Sequence, residues 1–405
     1  MNEHKPKLFY YRIAQVVSWV AAKLIFRRKF LRNDIRGKKG PFVVIANHEA
    51  ALDFVNLIGA TATPMTFVIS NSFYSTLPIK GFLDKMGVIP KQQFQTTVKD
   101  LKQIKSVIDR GDPVVIYPAG LMCEDGLSTP IPAATYKLLR WLNVDVYMAR
   151  ISGSYFVMPK WAKGFRPGRT FIDIQLLFSK EDLSCIDDRQ LKNKTHEALA
   201  FDAYRDQERY NIRYYGGSNI EGLENVLYRC PNCGKEFTMK VRKKATIFCT
   251  ECGYSLVSDS RGFLHKEQPF GPEMHYVSDW SLHIQETLRQ EICLGLLKEL
   301  SAECTVRMIH SKTNKFTDVG QGVLTVDAES VSLSGTICGQ EQTLRTGVAS
   351  LPSLPFSPGK HLELQYGSTI YRCVPKDGKL VMKMIHLLKI YHCLQAEHIR
   401  SNARV

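Results

Sequence analysis

Residues 41–53 read Pro-Phe-Val-Val-Ile-Ala-Asn-His-Glu-Ala-Ala-Leu-Asp. Pro41–Ala46 is a short apolar run behind Gly37-Lys38-Lys39-Gly40, a pattern that predicts a buried strand. The strand runs straight into His48, and a carboxylate follows five residues on at Asp53. On a straight helix that spacing would part the two side chains by ~140°. They can meet only if His48 lies in the turn before a helix and Asp53 in its first turns. The carboxylate would then fix the imidazole tautomer and stabilise the imidazolium formed when His48 takes a proton. A capped or surface histidine is the structural alternative. No Ser or Cys nucleophile motif accompanies the pair, which favours direct transfer to a substrate hydroxyl over a covalent enzyme intermediate.

Working outward, further apolar strands are predicted at Met65–Ser70, Gly87–Pro90, Val114–Tyr117 and Val144–Ile151. Between them Val98, Leu101, Ile104, Val107 and Ile108 recur at helical spacing, and a second helical pattern runs from Thr135 to Leu142. Strands alternating with helices indicate an α/β domain.

Four segments in this order resemble the motifs of the glycerolipid acyltransferases, the family of 1-acylglycerol-3-phosphate acyltransferases. Asn47–Asp53 resembles the first motif, N-H-x4-D. Met86–Lys91 resembles the second, a Gly and apolar residues before a basic one. Asp112–Gly120 resembles the third, an apolar strand running into Phe-Pro-Glu-Gly, and Val144–Ile151 sits where the fourth would lie. The resemblance covers about residues 1–215, and it implies an acyltransferase domain over 41–215. It implies that His48 is the general base for a hydroxyl of a lysophospholipid such as 1-acylglycerol 3-phosphate, with Asp53 orienting it. The hydroxyl would attack the thioester of an acyl-CoA or acyl-carrier protein, a reaction of phospholipid biosynthesis that needs no metal. Asn47, Lys91, Pro118 and Gly120 would bind substrate. The chain departs from the family in three places. Lys91 replaces the usual Arg, exchanging a bidentate fork for a point charge. Ala119 stands where the family has Glu; Glu124 and Asp125 are near enough to replace it, or form a solvated acidic loop. Arg150 appears where the fourth motif has Pro, and joins Glu124 as a candidate substrate-binding residue. Another lipid alcohol is therefore open as acceptor. A non-catalytic lipid-binding scaffold is the main rival, and a splayed dyad would favour it.

Composition agrees with a multi-domain globular chain. The 405 residues are 44% hydrophobic and 23% charged, which excludes a disordered or collagen-like protein. Lys and Arg number 54 against 39 Asp and Glu, a formal charge of +15. Residues 1–40 hold eleven basic and two acidic residues, +9 of that total. Within them Leu8–Phe30 is apolar and aromatic but is interrupted by Arg12 and Lys23. A spanning helix wants ~20 nearly uninterrupted apolar residues, and no small-residue cleavage site follows. Residues 1–40 thus read as an amphipathic segment lying against anionic membrane lipids, or as an ordinary core helix. The expected location is peripheral, on the cytoplasmic face of the membrane.

Eleven cysteines with no secretory signal imply a reducing compartment. Four of them, Cys230, Cys233, Cys249 and Cys252, have the C-x2-C-x15-C-x2-C spacing of a zinc ribbon, placed at 225–260. Gly234 and Gly253 follow the two pairs, where a knuckle needs an unhindered backbone. Four thiolates around Zn2+ close a structural site; two disulfides or an iron–sulfur site are the alternatives. Lys240–Lys244 places basic residues at the hairpin tip, so a nucleic-acid-binding protein is a second rival. With most of the excess charge beside the apolar N-terminal segment, lipid is favoured and no nucleic-acid partner is expected. His196, His265 and His275 lack a partner pattern and read as structural. Ser154–Arg169 mixes aromatic and basic residues, either against headgroups or as a β-hairpin with a basic surface.

Residues 276–400 read as a β-rich module. A helix is predicted over Tyr276–Leu300, strands at Gly322–Val326 and Ser330–Ser334, and another strand through Leu362, Leu364 and Tyr366 that turns at Gly367-Ser368 into Thr369–Val374. A helix over Leu380–Gln395 then places Val381, Met384, Ile385, Leu388 and Tyr391 on one face. The order resembles a pleckstrin-homology-like barrel.

Overall fold

The computed structural model describes residues 4–93, 97–310, 313–367 and 369–402, so Met1-Asn2-Glu3 of the basic segment and Ser368 of the expected turn lie outside the described residues. The chain divides into two compact units, residues 1–160 with 164–217 and residues 161–163 with 218–405.

The first unit comprises α1 (Leu8–Leu24), β1 (Lys29–Asn33), β2 (Val43–Ala46), α2 (Asp53–Ile58), β3 (Thr66–Ser70), α3 (Asn71–Thr76), α4 (Lys80–Lys85), β4 (Ile89–Lys91), α5 (Val98–Asp109), β5 (Val114–Ile116), α6 (Ala134–Leu142), β6 (Val146–Ser152), α7 (Ser154–Val157), β7 (Phe171–Phe178), α8 (Lys180–Cys185), α9 (Asp188–Leu199) and α10 (Ala203–Tyr210). Its seven strands form one sheet in the order β1-β7-β6-β2-β5-β3-β4. β6, β2, β5, β3 and β4 are mutually parallel, and β7 runs antiparallel to β6. All four residues of β2 are buried, as expected of a central parallel strand covered on both faces. Alternation along the strands splits the core in two. Val44, Ala46, Val115 and Tyr147 pack with Tyr11, Leu57 and Leu83 on one face. Val43, Ile45, Val114 and Val146 pack with Ile104, Val107, Leu139 and Leu191 on the other. The result is a three-layer α/β/α domain.

The strand positions expected from sequence agree within two residues. Two expectations need correction. The apolar stretch expected over Leu8–Phe30 is helical only to Leu24; Arg27 turns the backbone to a φ of 40°, and Lys29 begins edge strand β1. α1 buries Tyr11, Ala14, Ser18 and Ala22 in the first unit, and the Tyr11 hydroxyl accepts from Met65 N at 3.0 Å. Its other face stays open, with Phe9 70%, Val16 62% and Trp19 57% exposed. In α5, a Thr97/Asp100 capping box starts the helix, and this puts Val98 in solvent although its spacing suggested the core.

The second unit opens with a four-stranded antiparallel sheet: β8 (Met239–Arg242), β9 (Thr246–Cys249), β10 (Ser255–Ser258) and β11 (Leu264–Lys266), ordered β11-β10-β9-β8. α11 (Val277–Cys293) follows, seven residues short of the expected end because β12 (Glu299–Ile309) begins there. Six more strands, β13 (Phe316–Asp327), β14 (Ser330–Ile337), β15 (Gln340–Gly347), β16 (Phe356–Ser357), β17 (His361–Tyr366) and β18 (Thr369–Pro375), complete a seven-stranded antiparallel sheet ordered β15-β14-β13-β12-β18-β17-β16. α12 (Leu380–Asn402) buries Val381, Met384, Ile385, Leu388 and Tyr391. The ribbon and the β-rich module are one unit. Buried Arg229 pairs with Glu236 of the ribbon and Glu291 of α11, both at 2.6 Å, and Lys383 of α12 reaches Glu236 at 2.6 Å. No helix among the described residues is long and apolar enough to cross a membrane.

Candidate active site and metal centre

The parallel strands gather the candidate residues at one edge of the first sheet. His48 follows the C-terminal end of β2, Tyr117 follows that of β5, and Lys91 closes β4. Open α/β sheets place ligands at that edge.

The loop after β2 is held at both ends. The Asn47 side chain donates to Ile151 O and accepts from Ile151 N, each at 2.7 Å, and so is clamped to β6. Asp53 closes the other end. Its Oδ2 accepts from Glu49 N at 2.8 Å and Ala50 N at 2.9 Å, and lies 2.9 Å from His48 Nδ1. The backbone thus curls around one carboxylate oxygen, which brings His48 and Asp53 together despite their spacing. A carboxylate only accepts, so the contact assigns the ring proton to Nδ1 and leaves Nε2 basic. Asp53 is fully buried, whereas the His48 side chain is 18% exposed. Oδ1 of Asp53 is buried without a hydrogen-bond partner.

Three residues around the dyad were not singled out from sequence. The Tyr117 ring lies against His48 with centroids 4.5 Å apart and planes 31° from parallel. Cys123 N donates to His48 O at 3.2 Å, tying the segment after β5 to the dyad loop. Glu49 is wholly buried, and its Oε2 accepts from Tyr155 N at 2.9 Å. Burial, and then the neighbouring Asp53, push its carboxyl well above the ordinary range. Glu49 lay within the stretch quoted above, but no spacing rule marks the residue that follows His48.

Of the remaining candidates, Lys91 donates to Gln92 O at 3.2 Å, and burial lowers its pKa. Gly120 holds a φ of 67° in a turn closed by its own N–H to Tyr117 O at 3.0 Å, with Pro118 inside it. Gln93 donates to Gly120 O, joining the Lys91 loop to this turn. Glu124 and Asp125 are 1% and 4% exposed, so the solvated acidic loop is overturned: this segment packs inward. Arg150 is held by α10 and the residues before it; it donates to Ala200 O and pairs with Asp206 at 3.0 Å. Ser154–Arg169 is not a hairpin. α7 buries Tyr155 and Phe156, and burial of the Arg166 guanidinium lowers its pKa to about 10.

In the second unit the four ribbon cysteines meet, all sulfurs lying within 4.8 Å of one another. Cys230 and Cys252 are 3.7 Å apart, and Cys233 and Cys249 3.8 Å. Gly234 and Gly253 hold φ of 72° and 73°, and their N–H groups donate to Cys230 O and Cys249 O. These are the knuckle turns expected, since that backbone region strains any residue with a Cβ. Four convergent thiols form a donor set able to hold a metal ion. Lys243 and Lys244 occupy the exposed hairpin tip between β8 and β9.

Residues 27–152 match the family described as Acyltransferase. No curated protein matches the chain. Two solved structures are similar in part. The 1-acyl-sn-glycerophosphate (LPA) acyltransferase PlsC from Thermotoga maritima is 18% identical, with 49% of this chain and 79% of that chain covered and a TM-score of 0.40. The Ran binding domain of the nuclear complex component Nup2 from Ashbya gossypii is 16% identical, with 24% and 99% covered and a TM-score of 0.19.

Proposed function

With an acyltransferase-family domain over residues 27–152 as the premise, we propose that the chain transfers a fatty acyl group from a thioester donor, acyl-CoA or acyl-carrier protein, to a hydroxyl of a lysophospholipid. The observation that carries this reading is the 2.9 Å contact between His48 Nδ1 and buried Asp53. His48 Nε2 takes the proton of the acceptor hydroxyl as its oxygen attacks the thioester carbonyl. The C–O bond forms and the C–S bond breaks. The proton passes from the imidazolium to the departing thiolate, and Asp53 stabilises the cation between these steps. An intact dyad speaks against the scaffold alternative, which expects splayed residues. Lys91 is the proposed phosphate contact, with Asn47, Pro118 and Gly120 shaping the site. Arg150 is better read as a strut between β6 and α10.

The membrane supplies the acceptor in this reading. The open apolar face of α1 lies beside Arg12, Lys23 and Arg27, an amphipathic and basic arrangement suited to an anionic interface. The four cysteines are proposed to hold Zn2+ as a structural site. Transfer of labelled acyl groups from both donors to a panel of lysophospholipids and non-phosphorylated lipid alcohols tests the reading and names the acceptor. Absence of transfer to every member would refute it.

A further inference from the structure

Tyr117 sits at the centre of the site with a hydroxyl that nothing yet uses. Its ring packs on His48 at 4.5 Å between centroids. Its hydroxyl is buried without a hydrogen-bond partner, and so is Oδ1 of Asp53. One is a donor and the other an acceptor, and a buried hydrogen bond left unmade is unfavourable. The two groups interact electrostatically across the site. Both belong to residues that grip the same imidazole, Asp53 at Nδ1 and Tyr117 against the ring face. Hydrogen bonds in unliganded active sites are often long and tighten in the reacting complex.

We propose that Tyr117 is a positioning residue of this site: its ring sets the plane of the His48 imidazole, and its hydroxyl donates to Oδ1 of Asp53, directly or through one water. The inference rests on the acyltransferase reading for its function, but not for its geometry. Asp53 is then gripped at both oxygens, Oδ2 by His48 and two backbone N–H groups and Oδ1 by Tyr117. A donor at Oδ1 draws negative charge away from Oδ2. The imidazolium is therefore less strongly supported than it would be with Oδ1 left without a donor. Ala119 offers no polar side chain two residues further on, so Tyr117 carries the one polar side chain of Tyr117–Gly120.

The test is Tyr117→Phe in the full chain, which removes one oxygen and keeps the ring. Other titratable groups around the dyad loop are Glu49 on the loop itself and Cys123, Glu124 and Asp125 after β5; all stay in place. The His48 titration is read by NMR of histidine-labelled protein, assigned by difference from His48→Ala. The expected result is a rise of about half a unit in the His48 pKa, equivalent to about threefold in the protonation equilibrium. The acidic limb of kcat/KM should move up with it. In an Asp53→Asn background the same substitution should move neither, which separates the effect from a general disturbance of folding. An unchanged His48 titration in Tyr117→Phe, with a higher Tm as expected from deleting an orphaned hydroxyl, would overturn the inference. That outcome is distinct from failure of the functional reading, which shows as absence of transfer by the wild type and leaves the titration measurable.

Discussion

Asn47 exchanges two 2.7 Å hydrogen bonds with the main chain of Ile151, so the residue before His48 is fastened to a neighbouring strand. Both partners are buried, and Asn47→Ala would strand an N–H and a C=O at Ile151. At about 1–3 kcal/mol for each buried unsatisfied group, the variant should lose about 3 kcal/mol of unfolding free energy. Urea denaturation of wild type and variant reads this directly. A loss below about 0.5 kcal/mol, the level of an ordinary surface substitution, would show that the clamp is not structural.

Glu49 should make stability fall with rising pH. Its carboxyl titrates near its ordinary value of 4.5 in the unfolded chain and well above it when folded, chiefly through burial and secondarily through Asp53. Above that ordinary value and until the folded pKa is passed, the folded state binds the extra proton, so stability declines across the window as pH rises. Glu49→Gln cannot ionise. Its stability relative to wild type should therefore grow from about pH 4.5 upward. Denaturation midpoints at several pH values check this, and a constant difference would contradict it.

The α/β architecture was legible because its strands are short apolar runs and its helices carry clear periodicity. The dyad was legible because its residue types sit at a fixed spacing after a strand. Tyr117, Cys123 and the burial of Glu49 and Glu124 were not, since they depend on which strands become neighbours: β2 meets β5, and no local pattern announces it. The long ladder of the second unit was read only in part. β12 buries only Ala302, Cys304 and Val306 among exposed and half-buried residues, and the first half of β13 buries none, so their apolar signal is weak. The shortened N-terminal helix follows from sheet pairing too: Lys29–Asn33 pairs with β7, which lies some 140 residues later in the chain.

Metal should be bound one ion per chain by the four cysteines and should hold the second unit together. Elemental analysis of purified protein is expected to give one zinc per chain. Cys233→Ser with Cys252→Ser should abolish binding and lower the melting transition of the second unit, because structural zinc contributes directly to folding. Retention of a full metal equivalent by the double variant would place the ion elsewhere.

The exposed face of α1 should bind anionic vesicles. Val16→Asp with Val20→Asp puts two charges on that face without touching Tyr11, Ala14, Ser18 or Ala22, which pack inward. Co-sedimentation with vesicles containing phosphatidylglycerol should fall at least tenfold, given about 1.5–3 kcal/mol for each buried valine-sized side chain. Equal sedimentation of variant and wild type would assign the face another role.

The central claim is that His48, held by Asp53, is the base of an acyl transfer. The most direct measurement is the transfer rate of wild type and His48→Ala with the acceptor that the lysophospholipid panel identifies. Removal of a positioned general base predicts a loss of about 10²–10⁴-fold in kcat with the fold and vesicle binding intact. A His48→Ala enzyme that transfers acyl groups at the wild-type rate would contradict the account.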